Sequence, residues 1–240
     1  LARRSSRIIA ISEKQKHELV EEHRICGAEK VSVIPLGFDL SKFQQEQAAK
    51  RALFRKVYGL ADDEVAVGIV GRLVPVKNHD LFLEAFQRVR SATGGRVRAF
   101  IVGDGEGRER LEALTDRLGL SRVQGPIFNG HGFGQGVNGH AMVSRADITF
   151  TSWIKESDVV NAGVDVVALT SHNEGTPVSL IEAQASDRAV VSTRVGGIEN
   201  VVADGRTGLL SPPNDANAFG DNLLRLVQDA GLRGQLGRHG

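Results

Sequence analysis

A doubly wound α/β fold on a parallel sheet is what this sequence predicts, and three features carry the prediction. Apolar runs of strand length recur along the chain, as in "EVAVGIVG", "RVRAFIVG" and "VDVVALT". These runs are continuous in Val, Ile and Ala rather than alternating, as strands buried on both faces are. Between them lie segments with apolar residues at helical spacing, and such alternation argues for βαβ units.

The elements follow in order. "RIIAIS" (7–12) reads as a strand, "EKQKHELVEEHR" as a polar helix and "KVSVIPL" as a second strand. "AAKRALFRKVYGL" has apolar residues at helical spacing, and "EVAVGIVG" (64–71) is a buried strand. "NHDLFLEAFQRVR" (78–90) places Leu81, Ala85, Phe86 and Val89 on one helical face, with Asn78 as its N-cap. "RVRAFIVG" (96–103) is a strand, and "RERLEALTDRLGL" a helix that stops at Gly119. "VDVVALT" (164–170), a helix from about 177, "RAVVST" (188–193), a short helix near 198–203, "TGLLS" and the helical "DANAFGDNLLRLVQDA" complete the series.

Composition limits what the chain can be. At 240 residues it can bury a sizeable core without staples. The formal net charge of +1 gives no case for a nucleic-acid partner. The single cysteine, Cys26, cannot form an internal disulfide, which fits a reducing, cytoplasmic setting. No apolar run approaches the length of a membrane span. The chain opens on Leu1 rather than Met, so a piece of a longer protein is expected.

One segment departs from the pattern. Residues 124–147 are rich in glycine and read as an inserted loop. They contain Gly134, Gly136 and Gly139 at dinucleotide-fingerprint spacing. A fingerprint should leave a strand and open a long helix, and here only "HAMVSRA" follows. A glycine-rich loop accounts for the spacing more simply. His131 and His140 lie in the same loop without further ligands at metal-site spacing.

The stretch with most chemistry in it is "TSHNEGTPVSLIEAQA" (170–185). In an open parallel sheet, ligands bind beyond the carboxyl ends of the strands, so Glu174, following "VDVVALT", falls in that crevice. Thr176 suits an N-cap and Pro177 the first helical position, which leaves the amides of Val178 and Ser179 free for an anion such as phosphate. Glu182 lies four residues after Val178 on roughly the same helix face. A carboxylate beside a phosphate makes sense if it faces a neutral diol, such as a ribose. Glu174, on the other side of the anion, can hold hydroxyls of a second polyol. The order ribose, diphosphate, sugar describes a nucleotide-sugar. The helix dipole alone also favours glutamates near a helix start, so on this stretch by itself a purely structural reading serves equally well. A second constellation favours function. "GIVGRLVPVKNHD" puts Gly71, Arg72 and Lys77 in the loop after a strand of the same sheet. Two cations at that edge are what a leaving diphosphate needs.

Four ordered motifs, "VGRLVPVKNHDLFLEAF", "IVGDGEGRERLEAL", "HNEGTPVSLIEAQA" and "STRVGGIENVVADGRTGLLSPPNDANAF", together resemble the nucleotide-binding domain of retaining GT-B glycosyltransferases. The resemblance covers nearly the whole chain. It implies a Rossmann-like domain, the C-terminal half of a GT-B fold, at residues 45–240. "RIIAIS…KVSVIPLGFD" resembles the end of the family's acceptor domain and its linker, so residues 1–44 are expected to be a remnant of a missing N-terminal domain. Strands deprived of their sheet in this way invite self-association. The resemblance further implies that Glu174 binds the donor sugar and Glu182 the ribose, and that Arg72 and Lys77 bind the diphosphate. Gly71, Gly175, Thr176, Val178 and Ser179 complete the donor site, with Arg72, Lys77 and Glu174 as the catalytic set. The implied donor is a nucleoside diphosphate sugar, UDP-sugars included, with no metal and no other cofactor. The acceptor is not named, and the longer enzyme would act in the cytoplasm or at the inner face of a membrane. The sequence also departs from the family. The 124–147 loop is long, Ser152 stands where the family has glycine in a region near the base, and Pro177 removes one amide at the anion site. A nucleotide-sugar epimerase of the same architecture and a non-catalytic nucleotide-sugar binding module remain alternatives. A glycoside hydrolase has paired carboxylates but no use for diphosphate cations.

Overall fold

The computed structural model describes residues 2–126 and 144–240. The glycine triplet and both histidines of the expected inserted loop lie outside the described residues. Two compact units emerge, Leu1–Asp39 and Leu40–Gly240.

In the smaller unit, β1 (Ile8–Ala10) leads into α1 (Glu13–His17), and β2 (Val31–Val33) returns beside β1 in parallel register, Ile9 against Ser32. Ser12 caps α1 by accepting from the Gln15 N–H. Ile9 and Ile34 are 63% and 53% exposed. So small a sheet cannot cover its own apolar faces.

The larger unit opens with α2 (Ser41–Gln44) and α3 (Gln47–Val57). It continues with β3 (Val65–Val70), α4 (His79–Ala92), β4 (Val97–Val102), α5 (Arg108–Arg117), β5 (Arg122–Gln124) and β6 (Ile148–Phe150). Then come α6 (Ser157–Gly163), β7 (Val166–Leu169), α7 (Val178–Ala185), β8 (Ala189–Thr193), β9 (Gly208–Ser211), α8 (Ala216–Gln228) and α9 (Ala230–His239). The expected remnant and linker ran to residue 44, while α2 packs against α6 and α7 within the larger unit.

Among the described residues the sheet is seven-stranded, in the order β5-β6-β4-β3-β7-β8-β9, with every pair parallel. Period-two alternation divides each long strand between two cores. Val67, Ile69, Ala99, Ile101, Val166, Ala168 and Val191 pack with Phe82, Phe86, Phe219 and Leu223 from α4 and α8. Ala66, Phe100, Val102, Val167, Leu169 and Val190 pack with Phe54, Val160 and Leu180 from α3, α6 and α7, and with Tyr58, which caps the end of α3. This two-sided burial is why the strands read as continuous apolar runs. It also establishes the Rossmann-like, doubly wound class.

Sheet order fixes where a ligand can sit. The chain winds outward from β3 through β4 to β6, then returns to the other side of β3 as β7. The crevice beyond the carboxyl ends of β3 and β7 is the point where winding reverses, and open α/β sheets bind ligands there. At the opposite end of the same two strands Asp165 ties them together. Its carboxylate accepts from the Ala66 N–H at 2.8 Å and pairs with Arg51 at 2.7 Å. Among the described residues, no helix is long and apolar enough to cross a membrane.

Candidate functional site

The loop after β3 and the loop after β7 carry the predicted residues, and backbone bonds lock the two together. Gly71 N–H donates to the Val102 carbonyl at 3.0 Å, continuing the β3–β4 ladder past its last strand residue. Pro75–Lys77 then form one 3₁₀ turn, which Asn78 ends in the left-handed region at φ 47°. His172 N–H donates to the Val76 carbonyl at 2.8 Å. The Thr170 hydroxyl donates to the carbonyls of Lys77 and Asn78, at 3.1 and 2.9 Å.

These ties bring Lys77 and Glu174 into contact across the crevice. Lys77 Nζ lies 2.5 Å from Glu174 Oε1, and the carboxylate side chain is only 9% exposed. The Ser171 hydroxyl donates to the same oxygen, also at 2.5 Å. Arg72 is exposed, and no hydrogen bond or ion pair of its guanidinium is found among the described residues. Gly71 has no positive φ, and a Cβ there would rest 3.7 Å from Lys77 Cε. That is an ordinary contact distance, so neither backbone conformation nor space in this structure requires a glycine at position 71.

The third wall is the loop after β8. Gly197 N–H donates to the Glu174 carbonyl at 2.8 Å. Gly196 takes φ +53°, and a Cβ built on it would overlap that same carbonyl oxygen. Only a glycine lets this backbone approach so closely in that conformation.

The start of α7, where an anion site was expected, differs from expectation in two ways. The N-cap is Pro177 rather than Thr176, and the helix begins at Val178. Pro177, with φ −78° and ψ 77°, is the centre of an inverse γ-turn. That turn spends the Val178 amide on the Thr176 carbonyl at 2.9 Å. Val178 therefore offers no free amide. Among the described residues, the amides of Gly175, Thr176 and Ser179 have no backbone partner, so an anion would meet these instead. Asn78 similarly stands at the N-cap of α4 without making a side-chain cap bond, because its left-handed backbone is used to end the preceding turn.

Glu182 lies one turn into α7, half-buried. Burial pushes its carboxyl above the ordinary value, Lys42 and a hydrogen bond from Ser157 pull it back, and Asp158 adds to the rise. Lys50 pairs with Asp158 at 2.9 Å. His79, the first residue of α4, is 2% exposed, and its Nε2 has no partner. Burial lowers it to about 4, helped by Lys77 and Arg110 and opposed by Asp80. Among the described residues, no group of three or more His, Cys, Asp or Glu is arranged to hold a metal ion.

Sequence reasoning missed Ser171, Ser157, Lys42 and the glycine pair at 196–197 as parts of this site. The "VGGIEN" stretch was visible as a motif, and its paired glycines signalled a close backbone approach. The two serines and Lys42 gave no signal, since their partners lie on other elements or around a turn.

Comparison with known proteins agrees with this architecture. The family model described as glycosyl transferases group 1 matches residues 64–229. The chain is similar to D-inositol 3-phosphate glycosyltransferase of Kribbella flavida, 30% identical over 245 residues, covering 98% of this chain and 51% of that protein. It thus spans about half the length of the curated relatives it matches. Its fold is similar to that of Alr3699/HepE of Anabaena, solved in complex with UDP and glucose (TM-score 0.79, 21% identity). The match covers 99% of this chain and 58% of that one. It is also similar to the C-terminal domain of the group 1 protein LpcC of Francisella tularensis (TM-score 0.64, 22% identity), covering 85% of this chain and 94% of that domain. The chain belongs to the group 1 glycosyl transferases.

Proposed function

We propose that this chain is the donor-binding, C-terminal part of a retaining GT-B glycosyltransferase, moving a sugar from a nucleoside diphosphate to an acceptor hydroxyl. One observation carries the reading. Lys77 and Glu174, from loops on either side of the point where the sheet reverses its winding, meet at 2.5 Å, with the exposed Arg72 in the same loop as the lysine. A diphosphate entering there meets two cations together with the amides of Gly175, Thr176 and Ser179. A polyol beside it meets Glu174.

In this reading Arg72 and Lys77 stabilise charge on the departing diphosphate, as preorganised cations do in a site of restricted solvent access. Glu174 orients the sugar, and Glu182 accepts from the ribose hydroxyls. Trp153, exposed beyond β6, offers a ring face for the base. The acceptor's proton passes to the leaving phosphate on the same face, which accounts for retention without a protein nucleophile. Support comes from family membership and from the UDP and glucose held by the Anabaena protein. The free thiol of Cys26 suits a cytoplasmic setting.

Positioning of the acceptor is worth roughly 7–11 kcal/mol of barrier, and in this reading another domain supplies it. The isolated chain is therefore expected to bind donor and transfer little sugar. Calorimetry against a panel of nucleosides, nucleoside diphosphates and their sugars tests the assignment. Arg72→Ala should weaken diphosphates and spare nucleosides. Absence of binding to every member of the panel, or equal losses for nucleoside and diphosphate, would overturn it.

A further inference from the structure

We propose that Ser171 is a positioning residue for the Glu174 carboxylate, and that it sets how strongly the site prefers a nucleotide-sugar over the bare nucleoside diphosphate. The inference rests on the donor-site reading above. Ser171 directly follows Thr170 at the carboxyl end of β7 and is 1% exposed. Its hydroxyl and the Lys77 ammonium both donate to Glu174 Oε1, each at 2.5 Å. Among the described residues nothing donates to Oε2. The protein thus saturates one carboxylate oxygen and leaves the other to a ligand hydroxyl.

The two donors differ in how firmly they can stay. Lys77 has a long, flexible stem and is 26% exposed, so a diphosphate in the crevice competes for it. Ser171 has no such freedom. Its carbonyl accepts from the Thr193 hydroxyl at 2.9 Å, and Thr193 is itself buried on β8. The Glu174 backbone is fixed separately by the Gly197 N–H. Once a diphosphate draws on Lys77, Ser171 is the donor that keeps the carboxylate aimed. Losing it should therefore cost the part of binding that depends on the sugar, and spare the part that depends on phosphate.

The test titrates wild type, Ser171→Ala and Ser171→Thr with UDP and UDP-glucose, GDP and GDP-mannose, and ADP and ADP-glucose, using whichever pair wild type binds. Ser171→Ala is expected to weaken the nucleotide-sugar about 3- to 10-fold, the range for the net loss of one ordinary intramolecular hydrogen bond. The nucleoside diphosphate should change by less than about twofold, and Ser171→Thr should restore most of the loss. Thr193→Val, which removes the hydroxyl behind Ser171 at constant shape, should give a smaller loss of the same selectivity, and it carries the test if Ser171→Ala does not fold. Equal losses for both ligands, or no loss in a variant that melts like wild type, overturns the Ser171 assignment alone. Failure of wild type to bind any of the pairs overturns the donor-site reading, and this inference with it.

Discussion

Acid should destabilise this domain through one buried imidazole. His79 opens α4, where the positive end of the helix disfavours a further positive charge. It is buried, its Nε2 has no partner, and Lys77 and Arg110 stand nearby, with only Asp80 to offset them. These effects lower its proton affinity from the ordinary 6.5 to about 4. The sign follows from linkage. A base with a depressed folded value binds fewer protons folded than unfolded, so its contribution is complete above pH 6.5 and is lost as pH falls toward 4. Each pH unit in that window is worth about 1.4 kcal/mol, so the full loss is about 3 kcal/mol, with about 2.5 kcal/mol already gone at pH 4.5. Carboxylates titrate in the same range, so the informative quantity is the difference between wild type and His79→Gln, which cannot titrate there. Urea unfolding at pH 7.5, 6.5, 5.5 and 4.5 should show the wild type losing about 2–3 kcal/mol more than the variant across the series. Parallel curves for the two proteins would refute the reasoning, as would an NMR titration in which this imidazole protonates near pH 6.5.

Three further outcomes follow from the site. Lys77→Met should cost about 1–3 kcal/mol in urea unfolding, because a nearly buried carboxylate keeps only Ser171, and it should weaken nucleoside diphosphate binding in calorimetry. A stability loss without a binding loss would separate Lys77 from the ligand. Glu182→Gln should weaken nucleoside diphosphate binding by about 1–3 kcal/mol, yet leave stability at neutral pH equal or higher. A carboxyl raised by burial adds stability only while protonated, so any advantage of the glutamine should vanish as thermal melts are taken into acid. Gly196→Ala should cost more than about 1 kcal/mol, because alanine resists φ +53° and its Cβ overlaps the Glu174 carbonyl. An unchanged melting temperature would show that the loop yields more freely than its geometry implies.

The sheet was legible in the sequence because burial on both faces writes itself as continuous apolar runs. β3, β4, β7 and β8 fall inside the expected segments. The three-residue β5, the short α2 and α6, and the terminal α9 were not anticipated. The first three are too short to show a period, and α9 carries glycines at 231, 234 and 237 that weaken its helical signal. The helix expected near 198–203 is a single 3₁₀ turn, Ile198–Asn200. Local chemistry placed Glu174, Lys77 and Arg72 at the carboxyl edge, since strand ends can be read from the chain alone. It could not show that Lys77 and Glu174 touch, because 97 residues separate them. Nor could it show that Pro177 would turn the Val178 amide inward, which depends on one ψ angle.

The position of β3 has a further consequence, for the order in which the protein is made. On the ribosome, β3 and β4 emerge close together and can pair early, but the other edge of β3 belongs to β7. Asp165, which bonds the Ala66 N–H, is synthesised 99 residues after it. Through that interval the central strand of the finished sheet is an open edge, with a row of unpaired amides and carbonyls. Such edges recruit other chains, and long-range parallel pairing is slow to close. Nascent chains stalled before Asp165 should therefore bind chaperones and succumb to protease more readily than the full-length chain.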